Sequence, residues 1–266
     1  MGAIMKIFIT GNKGYIAENL QKHLLKNINE KYVLTGCDKV HYNERIEMLY
    51  DIDADIIIHT AAVPGVDNCN KNPDEAILTN IIGSNNVFSI AAQKNIPVVV
   101  LSTQGAKEPS KSTYALTKRA MELDFQNRLG SCGIIMRLSN VYGGDNFIRK
   151  KDTLVSRFMK ALKTDTPVYL YGTGECKRDF IHVADVCRAI HMAIIKITND
   201  KLTFASTPII DICTGKETSI IDAARNFGVK FELKPLLKTI SVPKAMPEMA
   251  KKIIGFEAIF FNVNLS

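Results

Sequence analysis

The chain has 266 residues, 46% hydrophobic and 23% charged, with a net charge of +7: enough to bury a sizeable core in one large domain or one plus a small lobe, and too apolar for a disordered or fibrous chain. The positive balance suits anionic ligands, but the lysines are scattered, with no basic block and no zinc spacing, so a nucleic-acid partner is not expected. Six cysteines (Cys37, Cys69, Cys132, Cys176, Cys187, Cys213) lie far apart with no CxxC, which reads as reduced thiols in a cytoplasmic protein with no metal site; there is no signal-peptide pattern and no apolar run long enough to span a bilayer, so no membrane partner is expected.

The chain opens on an apolar run, Ile4 to Ile9, that reads as a buried strand. Thr10-Gly11-Asn12-Lys13-Gly14 follows, then a helical pattern through Tyr15, Ile16, Leu20 and Leu24. Strand, glycine turn, helix is an arrangement for holding phosphate. Gly11 permits a sharp turn, and Gly14 lets a pyrophosphate approach the backbone. The free N–H groups and positive dipole end of the helix face the anion. Ala17 stands where the dinucleotide fingerprint admits glycine or alanine. Tyr32 to Cys37 reads as a second strand, and Asp38 ends it roughly 20 residues past the turn, where a carboxylate accepts both hydroxyls of an adenosine ribose. An acid there repels a 2′-phosphate, so NAD is favoured over NADP.

A short amphipathic piece spans Glu44 to Tyr50. Asp55 to Ala62 is a third strand, ending in small residues, Ala61 and Ala62, over which a cofactor can lie. A loop with Pro64, Gly65 and Pro73 leads to a long helix from about Asp74 to Gln93. Ile96 to Leu101 is a fourth strand, followed by Ser102-Thr103-Gln104-Gly105. A helix runs from Thr113 to Leu129 and a fifth strand from Gly133 to Leu138. Continuous apolar strands alternating with helices predict an α/β fold with a doubly wound parallel sheet, Rossmann-like, whose ligands bind beyond the carboxyl ends of the strands. The glycine turn, Asp38, Ala61, Ala62, Thr103 and Asn140 all fall at such ends.

Beyond Gly143 the alternation weakens: a helix (Leu154 to Lys163), a strand (Val168 to Leu170), the run Arg178 to Val183, a helix (Ala184 to Ile197), a strand (Ile209 to Cys213) and a helix from about Ser219. The lysine-rich tail from Lys234 is poorly patterned. The expected division is a dinucleotide-binding domain over 1–143, continued by parts of 165–205, and a small α/β substrate lobe over 144–266.

Tyr114 and Lys118 share one helix face at i, i+4. Free tyrosine titrates at about 10 and is a poor base at neutral pH. A nearby ammonium plus a positive nicotinamide ring would lower it to near 7 with about 4 kcal/mol of differential interaction. Tyr114 could then take a proton from a sugar hydroxyl while hydride leaves that carbon for NAD. Lys118 would also hold the nicotinamide ribose, and Thr103 would bond the reacting oxygen.

Taken together, TGNKGYIA, DIIIHTAA, NPDEAILTNIIGSNNVFSIAA, YALTK, RLSNVYG and GTGECKRDFIHVADV resemble the extended short-chain dehydrogenase/reductase family, and within it the nucleotide-sugar epimerase/dehydratase group, over roughly residues 5–225. The resemblance implies an NAD-dependent enzyme acting on a nucleotide-diphosphate sugar. It places Thr103, Tyr114 and Lys118 in catalysis, and Gly11, Asn12, Lys13, Gly14, Tyr15, Ile16, Asp38, Ala61, Ala62, Asn80 and Lys118 around the cofactor. Asn80 would support the hydrogen-bond network of the site, and Asn140 and Arg178 would contact the sugar diphosphate, Arg178 through its planar fork. His182 would pack between the lobes. In many relatives the long helix and the Tyr114 helix form a dimer interface, which implies a homodimer.

The sequence also departs from that family. Dehydratases follow the threonine with Asp-Glu; Gln104-Gly105 stands here, and neither residue can donate a proton to expel water. Thr103 and Tyr114 are 11 residues apart, without the family's longer loop that shapes the sugar pocket, and the C-terminal lobe is short. The preferred expectation is a nucleotide-sugar epimerase. The alternatives are a 4-keto-sugar reductase or dehydratase-like enzyme, or a cofactor-binding sensor without turnover.

Overall fold

The computed structural model describes residues 4–26, 31–38, 51–144, 153–199, 206–235 and 242–260. The amphipathic piece Glu44–Tyr50 lies outside them. In chain order the strands are β1 (Met5–Thr10), β2 (Tyr32–Cys37), β3 (Ile56–His59), β4 (Val98–Thr103), β5 (Gly133–Leu138), β6 (Asn140–Tyr142), β7 (Val168–Tyr171), β8 (Lys177–His182), β9 (Ile209–Ile212), β10 (Glu217–Ser219) and β11 (Phe231–Lys234).

Six of them form a sheet in the order β2-β1-β3-β4-β5-β9, every neighbour parallel. Its inner strands read as largely apolar runs because both faces are covered, whereas the edge strand β2 alternates in burial. Ile7, Ile9, Ile56, Ile58, Val99 and Ile134 point to one face, under the helices Tyr15–Leu25 and Val183–Asn199. Their neighbours Phe8, Ile57, Val98, Val100 and Ile135 point to the other, under Ser84–Lys94 and Thr113–Leu129. This is the doubly wound α/β fold. The last strand of the sheet, β9, comes from the C-terminal half, as does the helix Val183–Asn199.

The long helix over 73–94 is interrupted: Pro73–Ile77 and Ser84–Lys94 flank a π-helical turn, Leu78–Gly83. Ser84 explains it locally. Its hydroxyl donates to the Asn80 carbonyl at 2.8 Å, and such back-bonding competes with the regular ladder.

The rest of the chain builds two small sheets, β10-β8-β6 and β11-β7, over a separate core of Tyr142, Phe158, Leu170, Phe180 and Phe227. The sequence reading did not resolve β6, β8, β10 and β11, which are three to six residues long. Nor did it find the helices Val66–Lys71 and Glu248–Ile254. The second does carry end signals, Pro247 before it and Gly255 in a left-handed conformation after it.

Candidate active site at the strand tips

The glycine turn is built against the tips of β2 and β3. Gly11 has φ +66, and a Cβ there would stand 2.8 Å from Ala61 Cα, so both its dihedral and its surroundings require glycine. Gly11 N–H donates to Cys37 O at 2.7 Å and Asn12 N–H to the same oxygen at 3.3 Å. The turn therefore lies beside the chain as it passes into Asp38. Gly14 is extended, and a Cβ on it would meet Gly11 O at 2.9 Å. No side chain caps the helix that follows, so its first N–H groups face the turn as an anion cradle. Lys13 and Gly14 are exposed and Tyr15 and Ile16 half-buried; Tyr15 Oη donates to Gly143 O at 2.6 Å. A cradle that a Cβ would fill, an open helix N-terminus and a carboxylate at the β2 tip fit a dinucleotide.

Behind the turn runs a buried hydrogen-bonded chain. Ala61 N–H donates to Thr10 Oγ1 at 3.3 Å, Thr10 Oγ1 stands 2.7 Å from His59 Nδ1, and His59 Nε2 stands 2.9 Å from Ser84 Oγ. The Ser84 proton goes to Asn80 O, so Ser84 must accept from His59 Nε2–H, and Nδ1 accepts from Thr10. Burial first, and the Lys118 charge second, pull the His59 pKa down to about 3, so the ring is neutral. The fully buried Asn80 side chain accepts from Val63 N–H at 2.8 Å and donates to Val63 O and Thr117 Oγ1, each at 3.1 Å. Thr117 Oγ1 in turn donates to Tyr114 O at 3.1 Å.

The tyrosine helix, Thr113–Leu129, starts on Ser112, whose hydroxyl accepts from Ala115 N–H at 3.1 Å. Tyr114 packs against Val63, Cys69 and Ala76. Lys118, one turn on, is 3% exposed, with Nζ 3.3 Å from Met121 Sδ. Burial brings its pKa down to about 8, opposed by Glu122 and Cys69. Without a bound cofactor the Tyr114 phenol is pushed up, by burial first and by the Cys69 thiol second.

Thr103 is half-buried at the β4 tip, its Oγ1 accepting from Gly105 N–H at 3.4 Å. A Cβ on Gly105 would touch both Thr103 Cγ2 and Ala115 Cβ at 3.7 Å, so the strand tip meets the start of the tyrosine helix. Gln104 turns inward and donates to Arg137 O at 3.0 Å.

Asn140 and Arg178 sit on adjacent strands of the β10-β8-β6 sheet, where Asn140 pairs with Phe180. Asn140 Nδ2 donates to Asp179 O at 3.1 Å, and Arg178 Nη1 donates to Lys177 O and Cys176 Sγ, each at 2.8 Å. Buried Asp179 holds the next loop, accepting from Thr214 N–H at 3.1 Å and Oγ1–H at 2.9 Å. His182 stacks between Tyr142 and Phe260, with ring centroids 5.3 and 5.1 Å away.

Sequence reasoning missed His59, Ser84 and Thr117. Their signal was faint: a lone polar side chain ending an isoleucine run, and two small hydroxyl residues in helices. Among the described residues no group of three or more His, Cys, Asp and Glu could hold a metal, and no helix is long and apolar enough to cross a membrane.

A parallel doubly wound sheet with a glycine cradle at its first crossover, an acid at the second strand tip and a YxxxK helix beside the fourth defines a dinucleotide-binding protein of the short-chain dehydrogenase/reductase class. Residues 7–203 match the NAD dependent epimerase/dehydratase family, and the chain belongs to it. It is 30% identical over 234 residues to the GDP-6-deoxy-D-talose 4-dehydrogenase of Aggregatibacter actinomycetemcomitans, covering 79% of this chain and 75% of that one. With the UDP-glucose 4-epimerase of Mycoplasma genitalium it shares 26% identity over 254 residues, covering 75% and 74%. The fold is that of the UDP-glucuronic acid 4-epimerase of Bacillus cereus in complex with UDP-glucuronic acid and NAD, with TM-score 0.77, 21% identity and coverage of 97% and 96%.

Proposed function

We propose that this chain is an NAD-dependent nucleotide-sugar epimerase working through Tyr114, Lys118 and Thr103. The observation that carries the reading is a buried Lys118 one turn beyond Tyr114, on a helix whose start meets the Thr103 strand tip, across the sheet from the glycine cradle. Tyr114 takes the proton of a sugar hydroxyl as that carbon is oxidised. Lys118 steadies the resulting phenolate and holds a ribose, and Thr103 donates to the reacting oxygen. Bound NAD would supply the hydride acceptor and a second positive charge. Gly11 to Ile16 would hold its pyrophosphate, Asp38 would take the adenosine ribose hydroxyls, and the small Ala61 and Ala62 would leave room for it. Asn80 acts by positioning, because its amide is engaged with Val63 and Thr117. Asn140 and Arg178 take the sugar diphosphate.

Epimerisation is preferred to dehydration because Gln104 and Gly105 carry no dissociable proton. A second reading is a nucleotide-4-keto-sugar reductase, in keeping with the 30% identity to a 4-dehydrogenase. We further read the protein as a cytoplasmic homodimer, joined through the apolar face of Ile77, Leu78, Leu116 and Leu123.

The test is turnover of UDP-hexoses with NAD and no added reductant. The epimerase reading expects interconversion of C4 epimers, and loss of at least about 100-fold in kcat for Tyr114→Phe. Consumption of NADH with a keto-sugar selects the reductase. Undiminished Tyr114→Phe turnover removes the catalytic assignment.

A further inference from the structure

We infer that His59 is a positioning residue whose two ring nitrogens hold the two walls of the cofactor cleft in register; the inference rests on the reading of the site given above. One wall is the glycine turn. Thr10 begins it, and its hydroxyl joins His59 Nδ1 to Ala61 N–H at the β3 tip. The other wall carries the tyrosine. From His59 Nε2 the chain passes through Ser84 to Asn80 O, and the Asn80 amide fastens Val63 and, through Thr117, the Tyr114 carbonyl.

All five side chains, Thr10, His59, Ser84, Asn80 and Thr117, are at most 1% exposed. Water therefore cannot substitute for a missing partner, and the links must be made within the protein. The donor order has one solution. Ser84 gives its proton to Asn80, so it needs a donor from the ring at Nε2; a neutral ring then accepts at Nδ1, so the Thr10 hydroxyl donates there while its oxygen accepts from Ala61 N–H. A neutral imidazole carrying its proton on Nε2 meets both demands at opposite edges of one planar group. Phe88 fixes the ring plane edge-on, with centroids 5.5 Å apart. The charged group facing His59 is Lys118, and a protonated ring would repel it while taking away the acceptor that Nδ1 offers the buried Thr10 hydroxyl proton.

The two halves can be severed separately. The tautomer is read by 15N NMR of the imidazole in the protein without ligands, NAD affinity by calorimetry, and turnover with the nucleotide sugar. The expected tautomer is Nε2–H. Thr10→Val cuts the turn side and is expected to weaken NAD binding about tenfold; Ser84→Ala cuts the tyrosine side and is expected to lower kcat about tenfold while NAD affinity moves less than about threefold. His59→Asn retains an acceptor toward Thr10 and should follow Ser84→Ala; His59→Gln retains a donor toward Ser84 and should follow Thr10→Val. An Nδ1–H tautomer overturns the inference. So does a common loss of NAD affinity and turnover, in the same proportion, across the folded variants. Should the His59 variants not fold, the wild-type tautomer and the Thr10 and Ser84 pair decide it. The tautomer and NAD affinity need no sugar, so undiminished Tyr114→Phe turnover would remove the catalytic reading and leave these arms standing. An inactive Tyr114→Phe with no split between the variants would remove this inference alone.

Discussion

At the scale of single residues, burial sets the charge states. His59 titrates at about 3 in the folded chain against 6.5 when free. The unfolded chain therefore binds a proton over that interval that the folded chain refuses. The sign follows: the stabilisation is complete above pH 6.5 and is lost as pH falls toward 3, at about 1.4 kcal/mol per pH unit. Urea denaturation at pH 7 and pH 5 should show that loss, and His59→Gln should flatten it. Lys118 is poised the other way for function. On the proposed mechanism its ammonium is needed beside Tyr114, and it is given up as pH rises through about 8. Turnover is expected to fall on the alkaline side with a midpoint near that value, read from a kcat–pH profile. Asp38 tests the cofactor preference: Asp38→Ser should strengthen NADP binding relative to NAD, because the carboxylate that repels a 2′-phosphate is gone. The helix that carries Tyr114 and Lys118 and the strand that leads into Asp38 were legible in the sequence. His59 and Ser84 were not, because a side chain's bond partner across 25 residues leaves no local trace.

At the scale of elements, the tyrosine helix is pinned by a charge buried beneath it. Glu122 is fully enclosed and accepts from Arg137 Nη2 at 2.6 Å and Nε at 2.8 Å, from Ser102 Oγ at 2.6 Å and from Arg119 Nη1 at 3.0 Å. Burial works against its ionised form, but the bonds from Arg137, and then from Ser102 and Arg119, hold its pKa below the ordinary value. It ties the helix to both β4 and β5. Removing one partner strands the Arg137 guanidinium, so Glu122→Ala is expected to cost about 3–5 kcal/mol, measurable by urea denaturation. The helix itself was readable end to end, as Thr113 to Leu129. The strands β6, β8 and β10 were not. β6 and β10 have three residues each, too few for a period to show, and their pairing with β8 is decided by residues distant in the chain.

At the scale of the whole molecule, the C-terminal segment closes the main core. Phe256 and Ala258 are buried in it, and Asp185 accepts from Ile259 N–H at 3.1 Å and Phe260 N–H at 2.9 Å while pairing with Arg188 at 2.8 Å. Asp185→Ala should therefore destabilise the whole chain by about 3 kcal/mol rather than loosen only its end, a loss that calorimetry would register. On the outside, Leu116 and Leu123 lie seven residues apart on one helix, 55% and 46% exposed, with Ile77 and Leu78 nearby on the interrupted helix. On the proposed dimer reading the wild type is expected to elute as a dimer in size-exclusion chromatography and a Leu116→Glu, Leu123→Glu double variant as a monomer.

By itself the sequence determined the doubly wound sheet, the glycine cradle, the acid after the second strand and the tyrosine–lysine helix. These follow from periodicity, from glycine's freedom of backbone and from i, i+4 spacing, all of which act over short stretches of chain. Only the tertiary structure decided that β9 returns to complete the sheet, that the tail seals its core, and that one neutral imidazole joins the turn to the tyrosine helix. Those depend on which groups meet after burial, where an unpaired donor or charge is too costly to leave, and adjacency in the chain carries no record of that meeting.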